Sequence, residues 1–302
     1  MPNIQASDAN ISELTDIANP VTYISEILSL FRVLDVGAAV AKVKWGEDMD
    51  LLLAADEGSA VDMRTADGPF LVVCEHASNR IPRSLGTLGL DAAQRDRHIA
   101  WDPGARQVAT GIADRLGGSL VLQRFSRLVI DCNRDPKLAD AITTLSEDTP
   151  IPGNYDLPSD ERQRRVDEVW TPFHDTIERH VSERLLAGRP TVLITIHSFT
   201  PVYRGVSRPW HIGIISTEER SLAEGMIKAL RREPALVVGD NEPYSAKDNV
   251  DYTIRRHGRD RGVPHVMVEL RNDLLASRAE QDEWADRLAG LLGAMDMSSM
   301  AA

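Results

Sequence analysis

The stretch TVLITIHS, residues 191–198, decides the fold, because an unbroken apolar run leads directly to a histidine, His197. Continuous apolar runs are typical of strands that are covered on both faces, as in α/β sheets. The same pattern precedes His76 in PFLVVCEH and surrounds Glu269 in HVMVEL. Ligands of open α/β sheets bind outside the carboxyl ends of the strands. These three runs therefore predict a common site at one edge of the sheet.

Short β-branched runs alternate with longer amphipathic stretches from Gly68 onward. This alternation predicts an α/β protein, a three-layer α/β/α sandwich with a mixed, mostly parallel sheet. We expect seven strands, at residues 70–74, 119–123, 127–132, 191–196, 211–215, 235–239 and 265–270.

Capping signals predict where the helices begin and end. Asp102 before Pro103 predicts the N-cap of a helix that stops at Gly117. Pro172 must kink or divide the helical stretch 160–187, since its ring removes a backbone donor. Two Ser-x-x-Glu capping boxes are predicted, at Ser216 with Glu219 and at Ser277 with Glu280.

The chain divides into two segments of different texture. Residues 1–66 contain helical spacing but no cluster of site-like residues, and we expect an N-terminal helical extension there. Residues 67–302 contain every candidate site residue and form the predicted catalytic domain.

Composition restricts the partners. The 302 residues carry 46 acidic against 34 basic side chains, a net charge of -12, which disfavours nucleic acid and anionic membranes. The sequence contains neither an apolar stretch long enough to cross a membrane nor a secretory signal, so we expect a cytoplasmic protein. Cys74 and Cys132 each lie in or just after a β-like run and are interpreted as buried thiols, not as a disulfide.

The strand-end histidines indicate a catalytic metal site. Hydrolytic zinc takes about three protein ligands from His and carboxylate groups, and leaves a position for water. His76 and His197 supply two ligands. The third is predicted to be Asp102, with His98 and Glu75 as alternatives. Zn²⁺ is the expected ion, although this ligand set also accepts other divalent metals.

A second group of residues indicates an anionic substrate. Arg127, Asn133 and Arg134 lie in FSRLVIDCNR, and a guanidinium beside an amide suits the recognition of a carboxylate.

Two further tracts contribute predicted substrate contacts. The charged tract YTIRRHGRDRG contains Tyr252 and Arg256 and is interpreted as a substrate loop, with Arg256 as a second carboxylate anchor. The tract after His197 adds Tyr203.

Several short motifs in a fixed order resemble the N-formylglutamate amidohydrolase family, from about Phe70 to Leu275. The motifs are CEHASNRIP, HIAWDPGA, FSRLVIDCNR, TIHSFTP, YTIRRH and VMVEL. The resemblance implies a zinc-exopeptidase-like fold and a hydrolase of linear amides. It also implies the substrate, N-formyl-L-glutamate, which the family's characterised members convert to glutamate and formate in histidine degradation.

The resemblance also implies residue roles. His76 and His197 correspond to the family's histidines after the first and middle strands, Asp102 to the acidic residue of its Asp/His segment, and Glu269 to its late glutamate. Asn133 and Arg134 correspond to its Asn-Arg pair, a carboxylate clamp. We expect Glu269 to act as proton acceptor and Arg127 to share the charge that develops on the tetrahedral oxygen.

Three other functions remain open at this point. One is a zinc deacylase or carboxypeptidase-like enzyme for other N-acyl amino acids. Another is a metal-free serine hydrolase that uses Ser198, although no Gly-x-Ser-x-Gly elbow frames that serine. The third is a non-catalytic protein that binds acidic small molecules.

Overall fold

The computed structural model describes residues 51–244 and 251–295, and all structural statements below concern these residues. A seven-stranded sheet and two small hairpins contain the strands. The strands are β1 (Val61–Arg64), β2 (Phe70–Cys74), β3 (Ser119–Gln123), β4 (Leu145–Ser146), β5 (Thr149–Pro150), β6 (Val192–Phe199), β7 (Val202–Tyr203), β8 (Val206–Ser207), β9 (Ile212–Ile215), β10 (Val238–Asp240) and β11 (His265–Arg271).

The main sheet has the strand order β1-β3-β2-β6-β11-β9-β10. Four neighbouring pairs are parallel, and the pairs β1/β3 and β11/β9 are antiparallel. The predicted mixed, mostly parallel sheet is therefore confirmed. The parallel strands β3, β2, β6 and β11 direct their carboxyl ends toward the same edge, where the candidate site lies.

Helices cover both faces of the sheet. They are α1 (Ala92–Asp96), α2 (Ala105–Leu116), α3 (Ser159–Arg165), α4 (Thr171–Leu186), α5 (Ser221–Leu230) and α6 (Arg278–Gly293). Apolar residues of α2, α5 and α6 pack on one face in a single buried cluster. Residues of α4, such as Phe173 and Ile177, pack on the opposite face in a second cluster. The three-layer α/β/α sandwich is thus confirmed.

One predicted strand is wrong. Residues 127–132 form turns, although Leu128, Val129 and Ile130 are buried. An apolar run indicates that a segment is buried, but a β-strand also needs a neighbouring strand with which its backbone can form hydrogen bonds. Here backbone donors are satisfied locally, as when the Val129 N–H donates to the Ser126 carbonyl at 3.0 Å.

Two helix starts also differ from the prediction. The helix after Asp102 begins at Ala105, with Gly104 as N-cap at φ 83°, because the Asp102 carboxylate faces the two site histidines instead. Ser216 caps no helix, since α5 begins at Ser221. Gly117 does terminate α2, at φ 57°.

The other two helix signals agree with the structure. The capping box at Ser277 and Glu280 is present at the start of α6. The helical stretch around Pro172 widens to a π-turn over Val166–Trp170, directly before that proline. The wider turn accommodates the missing backbone donor and the ring.

Within the range assigned to the N-terminal extension, residues 51–66 are described and contain β1, which pairs with the edge of the main sheet through Val61–Gln123. The backbone N–H groups of Leu52 and Leu53 both donate to the Glu168 carboxylate at 2.9 Å. Residues 1–50 lie outside the described part of the chain.

Two predictions from composition have structural counterparts. Cys74 and Cys132 are buried and free, as expected. In the described part of the chain, no helix combines the length and the apolar character that crossing a membrane requires.

Candidate functional site

Three buried acceptor atoms converge at the sheet edge. The Nδ1 atoms of His76 and His197 lie 3.2 Å apart. The Oδ2 atom of Asp102 lies 3.3 Å from the first and 3.1 Å from the second. The sequence predicted these three residues as a metal-binding set, and the structure brings them together.

Carboxylates on the outer sides of both rings determine where the ring hydrogens lie. His76 Nε2 lies 2.8 Å from Asp131 Oδ1, and His197 Nε2 lies 3.1 Å from Glu75 Oε2. The first contact is a hydrogen bond, and because an ionised carboxylate only accepts, the Nε2 atom of His76 carries the hydrogen. The second is an ion-pair contact without hydrogen-bond geometry, in which the Glu75 charge favours the hydrogen on Nε2 of His197. When the rings are neutral, the lone pair of each Nδ1 atom then faces the other ring and Asp102.

Such an arrangement of lone pairs fits a cation. Ligand atoms around a tetrahedral ion with bonds of about 2.0–2.1 Å are about 3.3–3.4 Å apart, close to the distances found here. A carboxylate behind a ligating histidine is also the usual outer partner in metal sites. The described residues at this site therefore fit a divalent metal with His/carboxylate ligands.

The electrostatics of the site likewise favour added positive charge. Burial acts to raise the pKa of Asp102, but the neighbouring imidazoles hold that pKa far below its usual range. Burial acts to lower the pKa of His197, yet Glu75 and Asp102 raise it well above its ordinary value. Without a metal, the same cluster therefore binds protons more strongly than free histidines do.

Arg127 lies at the same site and is already paired. Its Nη2 donates to Asp131 Oδ2 at 2.6 Å, and its Nη1 lies 3.5 Å from Asp102 Oδ1. Its side chain remains 28% exposed toward the cavity. The guanidinium can therefore contact a bound molecule while it orients both carboxylates.

Glu269 stands next to His197 across the β6/β11 pair. Its side chain is buried, and its Oε2 atom has no hydrogen-bond partner among the described residues. Burial, opposed by His197 and aided by Asp102, raises the pKa of Glu269 to about 7. A carboxyl group with such a pKa can accept and release a proton near neutral pH.

A cavity of about 260 Å³ opens over this cluster. It contains all the proposed ligands together with Glu269 and Arg127. The end of β6, the hairpins and the loops form the rest of its wall, namely His98, Ile99, Leu128, Asp131, Asn133, Arg134, Asp140, Thr143, Leu145, Ser146, Glu147, Ser198, Phe199, Thr200, Tyr203, Arg204 and Tyr244.

The predicted Asn-Arg pair lines this cavity but has partners within the protein. The side-chain oxygen of Asn133 accepts from the Thr253 N–H at 3.1 Å, which ties the turn to the segment after residue 250. Arg134 forms an ion pair with Asp140, and its Nε lies 3.5 Å from Asp131 Oδ2. Their role in binding substrate stays a prediction.

The predicted substrate contacts Tyr203, Tyr252 and Arg256 do not all lie at the cavity. Tyr203 lines the cavity. Tyr252 and Arg256 are not among the described residues that line it; the Arg256 guanidinium donates to Tyr252 Oη at 3.0 Å and lies over the Trp170 ring. The structure therefore does not bring these two to the metal cluster.

The alternative ligands and the alternative nucleophile lie beside the three converging atoms and not among them. His98 Nε2 lies 3.2 Å from Glu147 at the cavity wall, and Glu75 lies behind His197, so neither belongs to the three converging atoms. The Ser198 hydroxyl donates to the Pro103 carbonyl at 2.9 Å. The described residues show no hydrogen bond between this hydroxyl and a histidine that could activate it.

Two residues of the site, Asp131 and Tyr244, were not predicted from the sequence. Asp131 was not predicted as a site residue, but it is buried against His76. Its spacing from Arg127 and Arg134, four residues before and three after, was the available signal. Tyr244 comes from a loop after β10 and carried no signal in the sequence.

The chain has relatives of known family. Residues 68–276 match the family model described as N-formylglutamate amidohydrolase. The chain is 38% identical over 76 residues to N-formylglutamate deformylase of Pseudomonas putida, which covers 22% of this chain and 28% of that protein. It is 38% identical over 80 residues to the protein of the same name from Pseudomonas aeruginosa, covering 23% and 30%. The chain thus matches less than a third of the length of these curated relatives.

Two solved structures have the same fold. The gene product Atu2144 of Agrobacterium tumefaciens superposes with a TM-score of 0.78 at 45% identity, covering 80% of this chain and 96% of that one. An N-formylglutamate amidohydrolase from Ralstonia eutropha superposes with a TM-score of 0.57 at 18% identity, covering 77% and 98%.

Proposed function

The chain belongs to the N-formylglutamate amidohydrolase family, and from this premise we propose that it is a metal-dependent amidohydrolase that converts N-formyl-L-glutamate and water to L-glutamate and formate. The observation that carries the proposal is the convergence of two imidazole nitrogens and one carboxylate oxygen beside a buried glutamate. The proposed place of the reaction is histidine degradation in the cytoplasm, with a small anionic N-acyl amino acid as the partner.

His76, Asp102 and His197 would hold the metal, with Zn²⁺ as the first candidate. A divalent cation bound there polarises a carbonyl oxygen and lowers the pKa of bound water. Glu75 and Asp131 would serve as positioning residues, because Asp131 accepts the hydrogen of His76 Nε2 and the Glu75 charge lies 3.1 Å from His197 Nε2.

Glu269 carries the proton in this mechanism. Its unpartnered oxygen accepts a proton from the attacking water as the carbon–oxygen bond forms. The same carboxyl group then delivers that proton to the amide nitrogen, so that the carbon–nitrogen bond breaks and the amine departs. The exposed part of the Arg127 guanidinium stabilises the negative charge on the former carbonyl oxygen.

The test combines a metal determination with an assay of product. Purified protein should contain about one equivalent of divalent metal, as expected for a single three-ligand site, by mass spectrometry. It should release formate from N-formyl-L-glutamate, and a chelator should abolish this release. The assay should include N-acetyl-L-glutamate and N-formyl-L-leucine. Faster hydrolysis of the acetyl compound would replace the proposed substrate with another N-acyl amino acid, and turnover without metal would refute the mechanism.

A further inference from the structure

Arg208 is a buried cation beside the cavity that has no acidic partner in the described part of the chain. Its residue is only 8% exposed, and no carboxylate in the described ranges forms an ion pair with it. Its guanidinium carbon lies 4.5 Å from the Tyr203 ring centroid and 5.0 Å from that of Tyr244. Cation–π contacts offset only part of the free-energy cost of burying a charge.

Arg127 and Arg134, the arginines predicted from the sequence to bind a carboxylate at this cavity, are both paired with acidic residues, unlike Arg208. Arg127 donates to Asp131 at 2.6 Å, and Arg134 is paired with both Asp131 and Asp140. The charges of these two are already neutralised within the protein. Arg208 therefore has the stronger requirement for an external anion.

Tyr244 lies between Arg208 and the cavity and can donate a hydrogen bond into the cavity. Arg208 Nη1 donates to the hydroxyl oxygen of Tyr244 at 3.2 Å. Because a guanidinium can only donate, the oxygen of Tyr244 is the acceptor, and the hydroxyl hydrogen must point elsewhere. Tyr244 lines the cavity, so this hydrogen is available to a molecule bound there.

Tyr244 stays a donor at working pH. Burial, together with Glu269, raises the pKa of its hydroxyl to about 12, although Arg208 and Arg127 act in the opposite direction. Tyr244, Glu269 and Arg127 line the same cavity, so the hydroxyl group lies in the cavity of the proposed reaction.

We propose that Tyr244 and Arg208 form the subsite that recognises a carboxylate of the substrate. The Tyr244 hydroxyl donates to a carboxylate oxygen, and Arg208 is the positioning residue that orients this hydroxyl and supplies the fixed positive charge behind it. Tyr203, with Phe199, holds the guanidinium in place through its ring. The inference rests on the proposed function in taking the substrate to be an acidic N-acyl amino acid.

The subsite predicts which substrates are favoured. A substrate carboxylate neutralises the Arg208 charge, whereas an amide in the same position leaves it unpaired. Hydrogen bonds to charged groups contribute about 1.5–3 kcal/mol, which corresponds to a preference of roughly 10- to 150-fold for the acid.

The experiment compares Arg208→Met and Tyr244→Phe with the wild type in the metal-loaded full chain. Steady-state constants are measured for N-formyl-L-glutamate and for its two mono-amides, N-formyl-L-glutamine and N-formyl-L-isoglutamine. We expect KM for the diacid to rise roughly 10- to 100-fold in Arg208→Met and less in Tyr244→Phe, with kcat within about threefold. For one mono-amide, the one without the recognised carboxylate, KM should not change.

Arg220→Met is the control variant, because it removes the same charge from Arg220, which is paired with Asp240 at 2.7 Å and is not among the described residues that line the cavity. Its kinetic constants should equal those of the wild type. Equal KM changes for all three substrates, or a loss of kcat with unchanged KM, would overturn the subsite. If Arg208→Met fails to fold by near-ultraviolet circular dichroism, Tyr244→Phe decides the question.

A binding measurement separates this inference from the proposed function. Calorimetric titration with glutarate, a dicarboxylate without an amide to cleave, should give binding to the wild type and at least tenfold weaker binding to either variant. Wild type that binds glutarate in this way but releases no formate retains the subsite and loses the proposed function. Wild type that releases formate, with variants that bind glutarate equally well, loses the subsite alone. Absence of glutarate binding by the wild type also overturns the subsite.

Discussion

Glu269 and His197 are direct register partners on the neighbouring parallel strands β11 and β6. Paired strands lie about 4.7–4.9 Å apart, so backbone hydrogen bonding alone sets the spacing of the two residues. Both side chains are buried at the sheet edge where His76 also lies. The proposed proton acceptor and one proposed metal ligand are therefore positioned by the sheet and not by a mobile loop.

The first prediction concerns the proton acceptor. Glu269→Gln keeps the size of the side chain and removes its ability to take a proton. Because general acid–base catalysis contributes about 10²- to 10⁴-fold, kcat for formate release should fall by that factor. Metal content, measured on the same sample by mass spectrometry, should remain at the wild-type value. A variant with more than a third of wild-type kcat would remove Glu269 from the mechanism.

The second prediction concerns the metal ligands. His197→Ala removes one of three converging acceptor atoms and should abolish both metal retention and turnover, with the fold preserved by circular dichroism. His180→Ala is the matched control, since His180 is a buried histidine of α4 outside the described cluster. That control should retain metal. Full metal occupancy in His197→Ala would contradict the ligand assignment.

The sequence predicted the sheet and its strand-end histidines because both depend on local patterns. Apolar runs identify covered strands, and the ends of parallel strands meet at one edge. The run at 127–132 shows where this reasoning fails. It is as apolar as a strand and buried like one, but whether a neighbouring strand is available to pair with it depends on the tertiary structure.

The parts of the site that the sequence did not predict are those made by distant segments. Glu75 was considered as a direct ligand, but the structure places it behind His197, which depends on how β2 and β6 pair. Tyr244 and Arg208 meet over a separation of 36 residues, and no spacing rule relates them. Arg256 lies in a charged tract like that of a substrate loop, yet its guanidinium packs on Trp170 and Tyr252.

The third prediction concerns the carboxylates behind the ligands. Glu75→Gln keeps the shape of the side chain but removes the charge that faces His197. Loss of such an outer partner typically weakens metal affinity about 10- to 100-fold, and we expect a decrease of that size. The measurement is competition with a chromophoric chelator. Asp140→Asn, which removes a carboxylate at the cavity wall that contacts Arg134, should leave the metal affinity unchanged. Equal affinity in Glu75→Gln and wild type would show that the Glu75 charge does not support the site.

The last prediction concerns stability at low pH and involves a buried histidine pair that is separate from the three proposed ligands, although the Glu75 charge that faces His197 also acts on His257. His257 Nε2 lies 3.0 Å from His174 Nδ1, and His174 Nε2 lies 2.8 Å from the Cys132 carbonyl oxygen. Burial is the main cause that lowers the pKa of His257 to about 3, and the Arg256 charge lowers it further. Burial and the neighbouring His257 lower the pKa of His174 well below its usual value. The carboxylate of Glu178, 3.3 Å from His257 Nδ1, is 36% exposed and does not offset this burial.

Both rings therefore stay neutral in the folded protein, whereas in the unfolded chain they take up protons below about pH 6.5. Below that pH the unfolded state binds more protons, so the free energy of unfolding must decrease as the pH falls from 6.5 toward 4.5, by up to about 1.4 kcal/mol per pH unit for each histidine. Above pH 6.5 this contribution is fully present. His257→Gln should reduce the slope by up to that amount in urea unfolding of the metal-loaded protein at pH 7.5, 6.0 and 5.0. A variant with the wild-type slope across this range would show that His257 is already protonated in the folded state, with its charge balanced by Glu178.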